Sequence, residues 1–301
     1  MIYKNILERI GDTPIVGIKE LGPNDNNLFM KLEGNNPTGS IKDRAALAII
    51  KDKINKGELT REKTILDASS GSFACAMSFI GNFLGYSVTT VVGNKMTNDK
   101  YEFVKFFGAE CIKYDANFTI ESNRYCRNEL LKSDPEKYCF LDQLHNPMNP
   151  LIHYQTTAPE IIEALPEVSA VSFSAGSGGT LCGISRFFKE FYPHVKMVEV
   201  GAASGTKIPG TAAFQDGEYI TPFIDEYLAN NRIDYRAEVS EHDAKKKVKL
   251  LRESGVYCGI QTGAVYQGTL DAIDKLSIKG PVVMISGDSG WKNTEKLSKL
   301  I

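Results

Sequence analysis

Asn35-Asn36-Pro37-Thr38-Gly39-Ser40-Ile41-Lys42-Asp43-Arg44 sets one lysine at the end of a Pro-Thr-Gly-Ser turn. A lysine amine becomes a nucleophile and a ready Schiff-base former when a dry pocket lowers its pKa. Taken alone, a lysine in this setting is most often a solvated surface charge. Gly176-Ser177-Gly178-Gly179-Thr180 follows an apolar run and precedes an amphipathic one. Backbone amides at such a junction, unblocked by side chains, form a nest for a phosphate group, and the hydroxyls of Ser177 and Thr180 add donors. A tight turn is the plain alternative. No Walker lysine follows this loop, which sets a nucleotide aside. Gly287-Asp288-Ser289-Gly290 presents a serine on a polar turn after the last apolar run. Such turns are common and carry no chemistry by themselves.

The elements that must hold these residues repeat one rhythm: a short apolar strand, a Gly or Ser turn, an amphipathic helix. Strands are expected at Thr64–Ala68, Ser87–Val92, Cys111–Tyr114, Ala170–Phe173, Lys196–Val200 and Pro281–Ile285. Helices are expected from Ser72 to near Gly85, over Lys100–Phe107 and over Leu181–Glu190. Ala46, Ile49, Ile50 and Ile54 recur at helical spacing after Lys42, with Gly57 as a stop, so Lys42 opens a helix. Strands this apolar, alternating with helices, predict an α/β fold with parallel-type sheets covered by helices. The stretch 201–231, rich in Gly, Ala and Thr, reads as an irregular, possible active-site loop. Two α/β halves dividing near Asn146–Pro150 fit the length better than one sheet.

Together the three motifs resemble those of the pyridoxal phosphate-dependent cysteine synthase and cystathionine β-synthase family. Three further segments match in order. They are Asn5-Ile6-Leu7 through Ile10-Gly11-Asp12-Thr13-Pro14; Asp142-Gln143-Leu144-His145-Asn146-Pro147 with Asn149-Pro150 and His153-Tyr154; and Gly259-Ile260-Gln261-Thr262-Gly263-Ala264. The resemblance covers nearly the whole chain. It implies a two-domain, tryptophan synthase β-like fold (fold type II), with a smaller domain over residues 36–145. Residues 1–35 and 146–301 would form the larger one, with pyridoxal 5'-phosphate in the cleft between. It also implies that Lys42 carries the cofactor as a Schiff base and acts as general base at Cα. Gly176, Ser177, Gly178, Gly179 and Thr180 would hold the cofactor phosphate. Ser289 would hydrogen-bond the pyridine nitrogen, leaving it largely unprotonated and favouring chemistry at Cβ over transamination. Gln143 would hold the substrate carboxylate.

One segment departs from the family. Its substrate loop usually reads Thr-Ser-Gly-Asn-Thr-Gly; here it is Ser69-Ser70-Gly71-Ser72-Phe73-Ala74. Ser69 and Ser70, with Gly71 and Phe73 in the same loop, would serve the carboxylate grip. Ser72 stands where the family's asparagine meets the cofactor phenolate, with a shorter reach and one donor. Losing one charge-assisted bond costs about 1.5–3 kcal/mol, roughly ten- to a hundred-fold in binding. The expectation is β-replacement on a serine- or cysteine-derived amino acid with a sulfur nucleophile, on a different substrate or through a rebuilt pocket. β-Elimination and a regulatory scaffold of low activity are the alternatives. Lys207, Asp216, Asp225 and Asp234 are weaker candidates for contacts to the β-substituent.

Bulk composition narrows the partners. The chain has 301 residues and a formal net charge of −2, which gives no footing for a polyanion, so nucleic acid is not expected. Six cysteines lack metal or redox spacing and read as buried apolar residues; four scattered histidines suggest no metal site. No signal segment and no membrane span are expected, which points to the cytoplasm, and the family resemblance implies a small amino-acid substrate. The family resemblance adds a homodimer. A dinucleotide fingerprint after a strand is missing, so a nucleotide-dependent oxidoreductase is not favoured.

Overall fold

The computed structural model describes residues 2–18, 26–94, 96–117, 119–216 and 221–298. The described strands, in chain order, are β1 (Ile15–Gly17), β2 (Leu28–Leu32), β3 (Thr64–Ala68), β4 (Val88–Val92), β5 (Glu110–Lys113), β6 (Tyr138–Phe140), β7 (Ala170–Ser174), β8 (Lys196–Ala202), β9 (Tyr235–Val239) and β10 (Val282–Ser286). They fall in two compact units, one of residues Lys42–Asn149 and one of Met1–Ile41 with Pro150–Ile301.

The Lys42–Asn149 unit holds a four-stranded sheet in the order β5-β4-β3-β6, parallel throughout. Its central β4 reads Val-Thr-Thr-Val-Val and is buried at every position, as a strand covered on both faces must be. The edge strand β5 has exposed ends. Helix Ser72–Leu84 follows β3 and ends where Gly85 takes φ +76°, a left-handed cap open to glycine. It packs against helix Lys42–Asn55, whose buried face carries Ala45, Ala46, Ala48, Ile49 and Ile50. Each such isoleucine removed from water contributes about 1.5–3 kcal/mol.

The second unit has a six-stranded sheet in the order β1-β2-β10-β7-β8-β9. Among the described residues only the β1–β2 pair of this sheet is antiparallel. On β10, Val282 and Met284 enter one apolar cluster while Val283 and Ile285 enter another. Alternate side chains thus face two covered layers. Helix Gly179–Phe191 follows β7, and helix Ile260–Leu276 precedes β10.

The α/β expectation stands, and β3 runs over the expected Thr64–Ala68. Three of the differences bear on the elements around the site. The antiparallel edge β1 was not anticipated, because three residues give too little periodicity to read. The helix expected over Lys100–Phe107 begins earlier, at Asn98, because Thr97 supplies an extended entry to it. The stretch 201–231 is not irregular throughout: β8 runs to Ala202, and a helix covers Pro222–Ala229. Residues 217–220 of that stretch lie outside the described residues. Among the described residues no helix is long and apolar enough to cross a membrane.

Candidate active site

Lys42 is the first residue of helix Lys42–Asn55, and its position is set by the strand-like segment before it. Gly39 adopts φ +78°, and its N–H donates to Asn36 O at 2.8 Å. Ile41 N–H donates to Gly287 O at 2.9 Å, and Ser289 N–H donates to Gly39 O at 3.0 Å. Ser40 and Asp288 form an antiparallel bridge between these bonds. The lead-in to Lys42 is therefore stapled by backbone to the turn that carries Ser289. The Lys42 residue as a whole is half-buried, yet burial of its amine lowers the pKa from 10.5 to about 8. An ammonium loses hydration there, and the neutral, nucleophilic form gains.

Ser289 is itself half-buried, and its hydroxyl has no hydrogen-bond partner among the described residues. A Cβ on Gly34 would lie 2.9 Å from Ser289 N, so that approach requires glycine.

The Gly176–Thr180 loop leaves β7 and enters helix Gly179–Phe191. A Cβ on Gly176 would meet Gly210 O at 2.9 Å, and one on Gly178 would meet Ile224 at 2.9 Å. Gly178 also sits at φ +89°, the left-handed region. Thr221 Oγ1 donates to Ser177 O at 3.0 Å; in a planar trans peptide the Gly178 N–H then points the opposite way. Backbone amides at a helix start with no side-chain cap are what a phosphate dianion needs. Thr180 Oγ1 lies 3.4 Å from Nε2 of buried His153, whose Nδ1 meets Thr157 Oγ1 at 2.9 Å. Gln261 Nε2 donates to Gly210 O at 3.0 Å and to Ser174 Oγ, tying this loop's flanks together.

In the Lys42–Asn149 unit, β3 runs into the Ser69–Phe73 loop. Ser69 N–H continues the ladder to Val91 O at 3.0 Å. Ser69 Oγ accepts from Gly71 N–H at 3.2 Å, and Ser70 Oγ accepts from Gly93 N–H at 2.6 Å. Each hydroxyl keeps its own O–H to donate. Ser72 opens helix Ser72–Leu84, whose first amides have no side-chain cap. The Phe73 ring is 1 % exposed, so what this residue can offer a carboxylate is its backbone N–H. Gln143, on the loop after β6, is 5 % exposed. Its N–H donates to Asp67 Oδ2 at 3.0 Å and its carbonyl accepts from Asn149 Nδ2 at 2.9 Å. Its side-chain amide bonds to no described residue.

The weaker candidates sit in ordinary structural roles. Asp216 is exposed and accepts from Ser204 Oγ at 2.6 Å and Gly205 N–H at 2.9 Å, which lowers its pKa. Asp234 is paired with Lys189 and Lys196. Asp225 and Lys207 are exposed. The cysteines form no disulfide among the described residues, all but Cys111 are buried, and no metal-ligating cluster occurs among the described residues. Sequence reasoning missed Asp67. The signal was an acid inside an otherwise apolar strand, Thr-Ile-Leu-Asp-Ala.

A desolvated lysine, an uncapped glycine-lined anion nest and an unpartnered serine hydroxyl are the equipment of an enzyme that carries a phosphorylated carbonyl cofactor. The chain belongs to the pyridoxal-phosphate dependent enzyme family, whose model matches residues 6–288. Its cofactor is pyridoxal 5'-phosphate, and its fold is the α/β arrangement of fold type II. Cysteine synthase B from Escherichia coli (strain K12) is 32% identical over 286 residues, covering 94% of this chain and 92% of that protein. O-acetylserine sulfhydrylase isoform 3 from Entamoeba histolytica superposes with a TM-score of 0.89 at 28% identity, over 100% of this chain and 93% of that one. A hydrogen sulfide-producing enzyme from Fusobacterium nucleatum gives a TM-score of 0.88 at 29% identity, over 97% and 98%.

Proposed function

We propose that the chain catalyses β-replacement on a serine- or cysteine-derived amino acid with a sulfur nucleophile, in the manner of its cysteine synthase relatives. The observation that carries the site assignment is the backbone bridge between the segment leading to Lys42 and the Ser289 turn. Pyridoxal phosphate, when bound, supplies the electron sink that makes the substrate Cα–H acidic. Lys42 would hold the cofactor, and its free amine would take a proton from the substrate Cα and return one at the end. Its lowered pKa suits both tasks. Gly176, Ser177, Gly178, Gly179 and Thr180 hold the phosphate through N–H and hydroxyl donors. Ser289 offers its hydroxyl to the pyridine nitrogen without protonating it. Ser69, Ser70, Gly71, the Phe73 amide and the Gln143 amide grip the substrate carboxylate, and Ser72 donates to the cofactor phenolate. The same proposal takes the enzyme to be a cytoplasmic homodimer, as the resemblance implies; sedimentation at twice the 33.2 kDa chain mass would support the dimer.

β-Elimination is the second reading. It is favoured by the similarity to the hydrogen sulfide-producing enzyme and by Ser72, which reaches less far than asparagine. The deciding experiment supplies the cofactor-loaded protein with O-acetylserine, O-phosphoserine, serine or cysteine, each with and without sulfide. Cysteine formed from a serine derivative and sulfide supports replacement. Pyruvate and ammonia from one amino acid alone support elimination. A protein that takes up no cofactor, shown by the absence of visible absorbance, would overturn the site assignment.

A further inference from the structure

Asp67 is an acid in the wholly buried segment Ile65–Ala68, itself 1 % exposed. Both of its carboxylate oxygens are committed to backbone. Oδ1 accepts from Ala68 N–H at 2.6 Å, and Oδ2 accepts from Gln143 N–H at 3.0 Å. Strand register explains the second bond. Leu66 lies opposite Phe140 where β3 pairs with β6, and the last rung is Leu141 N–H to Leu66 O at 3.0 Å. Asp142 then takes φ +55° and turns the chain out of the sheet. The Gln143 N–H is thereby stranded in a buried position, where an unmet donor is costly. The Asp67 carboxylate reaches across to meet it. The last residue of β3, which leads into the Ser69–Ser70 loop, and the loop with Gln143 so share a single acceptor residue.

We propose that Asp67 is a positioning residue for substrate: its ionised carboxylate holds Gln143 in register with the Ser69–Gly71 loop, and a proton on Asp67 releases that hold. This rests on the reading that Gln143 and that loop grip the substrate carboxylate. Burial raises the Asp67 pKa from 3.8 to about 7, with the Asp142 carboxylate adding to the rise and the two N–H donors opposing it. The groups facing it are known. Asp142 lies on the loop after β6, bonded to Asn123 Nδ2 at 3.4 Å and to His145 Nδ1 at 2.7 Å. From the segment Cys126–Leu130 comes the Cys126 thiol, which burial pushes up and keeps neutral. Ionised, Asp67 accepts both N–H groups. Protonated, one oxygen carries a hydrogen and accepts only weakly from the amide it faces. Asp67→Asn copies the protonated form at every pH, because its NH2 must face one of the two donors.

The test uses the cofactor-loaded enzyme, wild type and D67N, with O-acetylserine and sulfide between pH 5.5 and 8.5. We expect D67N to raise KM about tenfold at pH 8, with kcat changing less, as the loss of one buried charged hydrogen bond would give. The ratio of the two KM values should close to within about twofold at pH 6, where wild type is itself protonated. A general loosening of the fold would leave the ratio constant across pH, and that outcome overturns the proposal, as does an equal KM at pH 8. Should D67N fail to fold, Q143A replaces it: the wild-type step in KM near pH 7 should vanish in Q143A, and a step retained there overturns the coupling. If Q143A has a wild-type KM at pH 8 while D67N does not, the carboxylate role of Gln143 fails rather than the role of Asp67.

Discussion

The phosphate-loop region and the Ser69–Gln143 region reach the same end, a fixed set of donors, by different physics. Around Gly176–Thr180 and Ser289 the donors are placed by backbone, with glycines at points where a Cβ would strike Gly210, Ile224 or Ser289. In the other region Gln143, and Ala68 just ahead of Ser69, are tied to one buried, titratable side chain. Backbone scaffolds do not change with pH. A carboxylate with a pKa of about 7 does, so the donor set of the phosphate loop should be unchanged near neutrality while that for substrate is not.

The contrast can be broken or sharpened by substitution. Lys42→Ala should lower turnover by about 10²–10⁴-fold, the span of a lost general base, and substantial residual β-replacement in a steady-state assay would remove Lys42 from its role. Gly178→Val forces a β-branched residue into φ +89° and against Ile224. Cofactor affinity should fall by about 10–100-fold, read by dialysis and visible absorbance, with the strain at that position as the cause. Gln143→Ala should raise KM about tenfold and leave cofactor affinity unchanged, which would separate the two regions experimentally. Ser72→Asn, restoring the family residue, should change kcat/KM by about three- to tenfold, as one added hydrogen bond allows.

The smallest effect is on stability. The folded protein keeps a proton on Asp67 that the unfolded chain releases near 3.8. Its contribution to stability is therefore full below about pH 4 and lost as pH rises through about 7. The Tm of D67N relative to wild type should rise between pH 5 and pH 8 by several degrees, as the roughly 3 kcal/mol from about two pH units of differential protonation would give. A difference that does not vary with pH would mean that Asp67 is ionised throughout.

Much of this was legible in the sequence, and unevenly. Runs such as Val-Val-Met-Ile-Ser and Thr-Ile-Leu-Asp-Ala announce buried strands because their neighbours on both faces are apolar. β9, Tyr-Arg-Ala-Glu-Val, escaped notice: an edge strand alternates polar and apolar residues and looks like a helix fragment over five positions. β6 has three residues, too few for any period. Lys42, the glycine loop and Ser289 were each visible as local motifs. Their joining through Gly39, Ile41 and Gly287 was not, since it depends on strand order in the folded sheet. Asp67 was the hardest. Its acidity stood out in an apolar strand, yet its partner lies 76 residues away and is a backbone N–H, which no side-chain pattern reports.

The pairing of β2 with β10 also sets a timetable. Leu28–Leu32 must find Val282–Ser286, which leaves the ribosome about 250 residues later, roughly 13–50 s at ordinary rates of synthesis. The Lys42–Asn149 segment is continuous and has its whole sheet available long before then. Nascent chains therefore pass through a period in which one sheet is complete and β2, with its apolar Leu28 and Met30, has only β1 beside it. Within that interval Lys42 already exists, but the Gly287–Ser289 turn that fixes its lead-in has not been made. The lead-in to Lys42 is thus fixed only after the Gly287–Ser289 turn has been made.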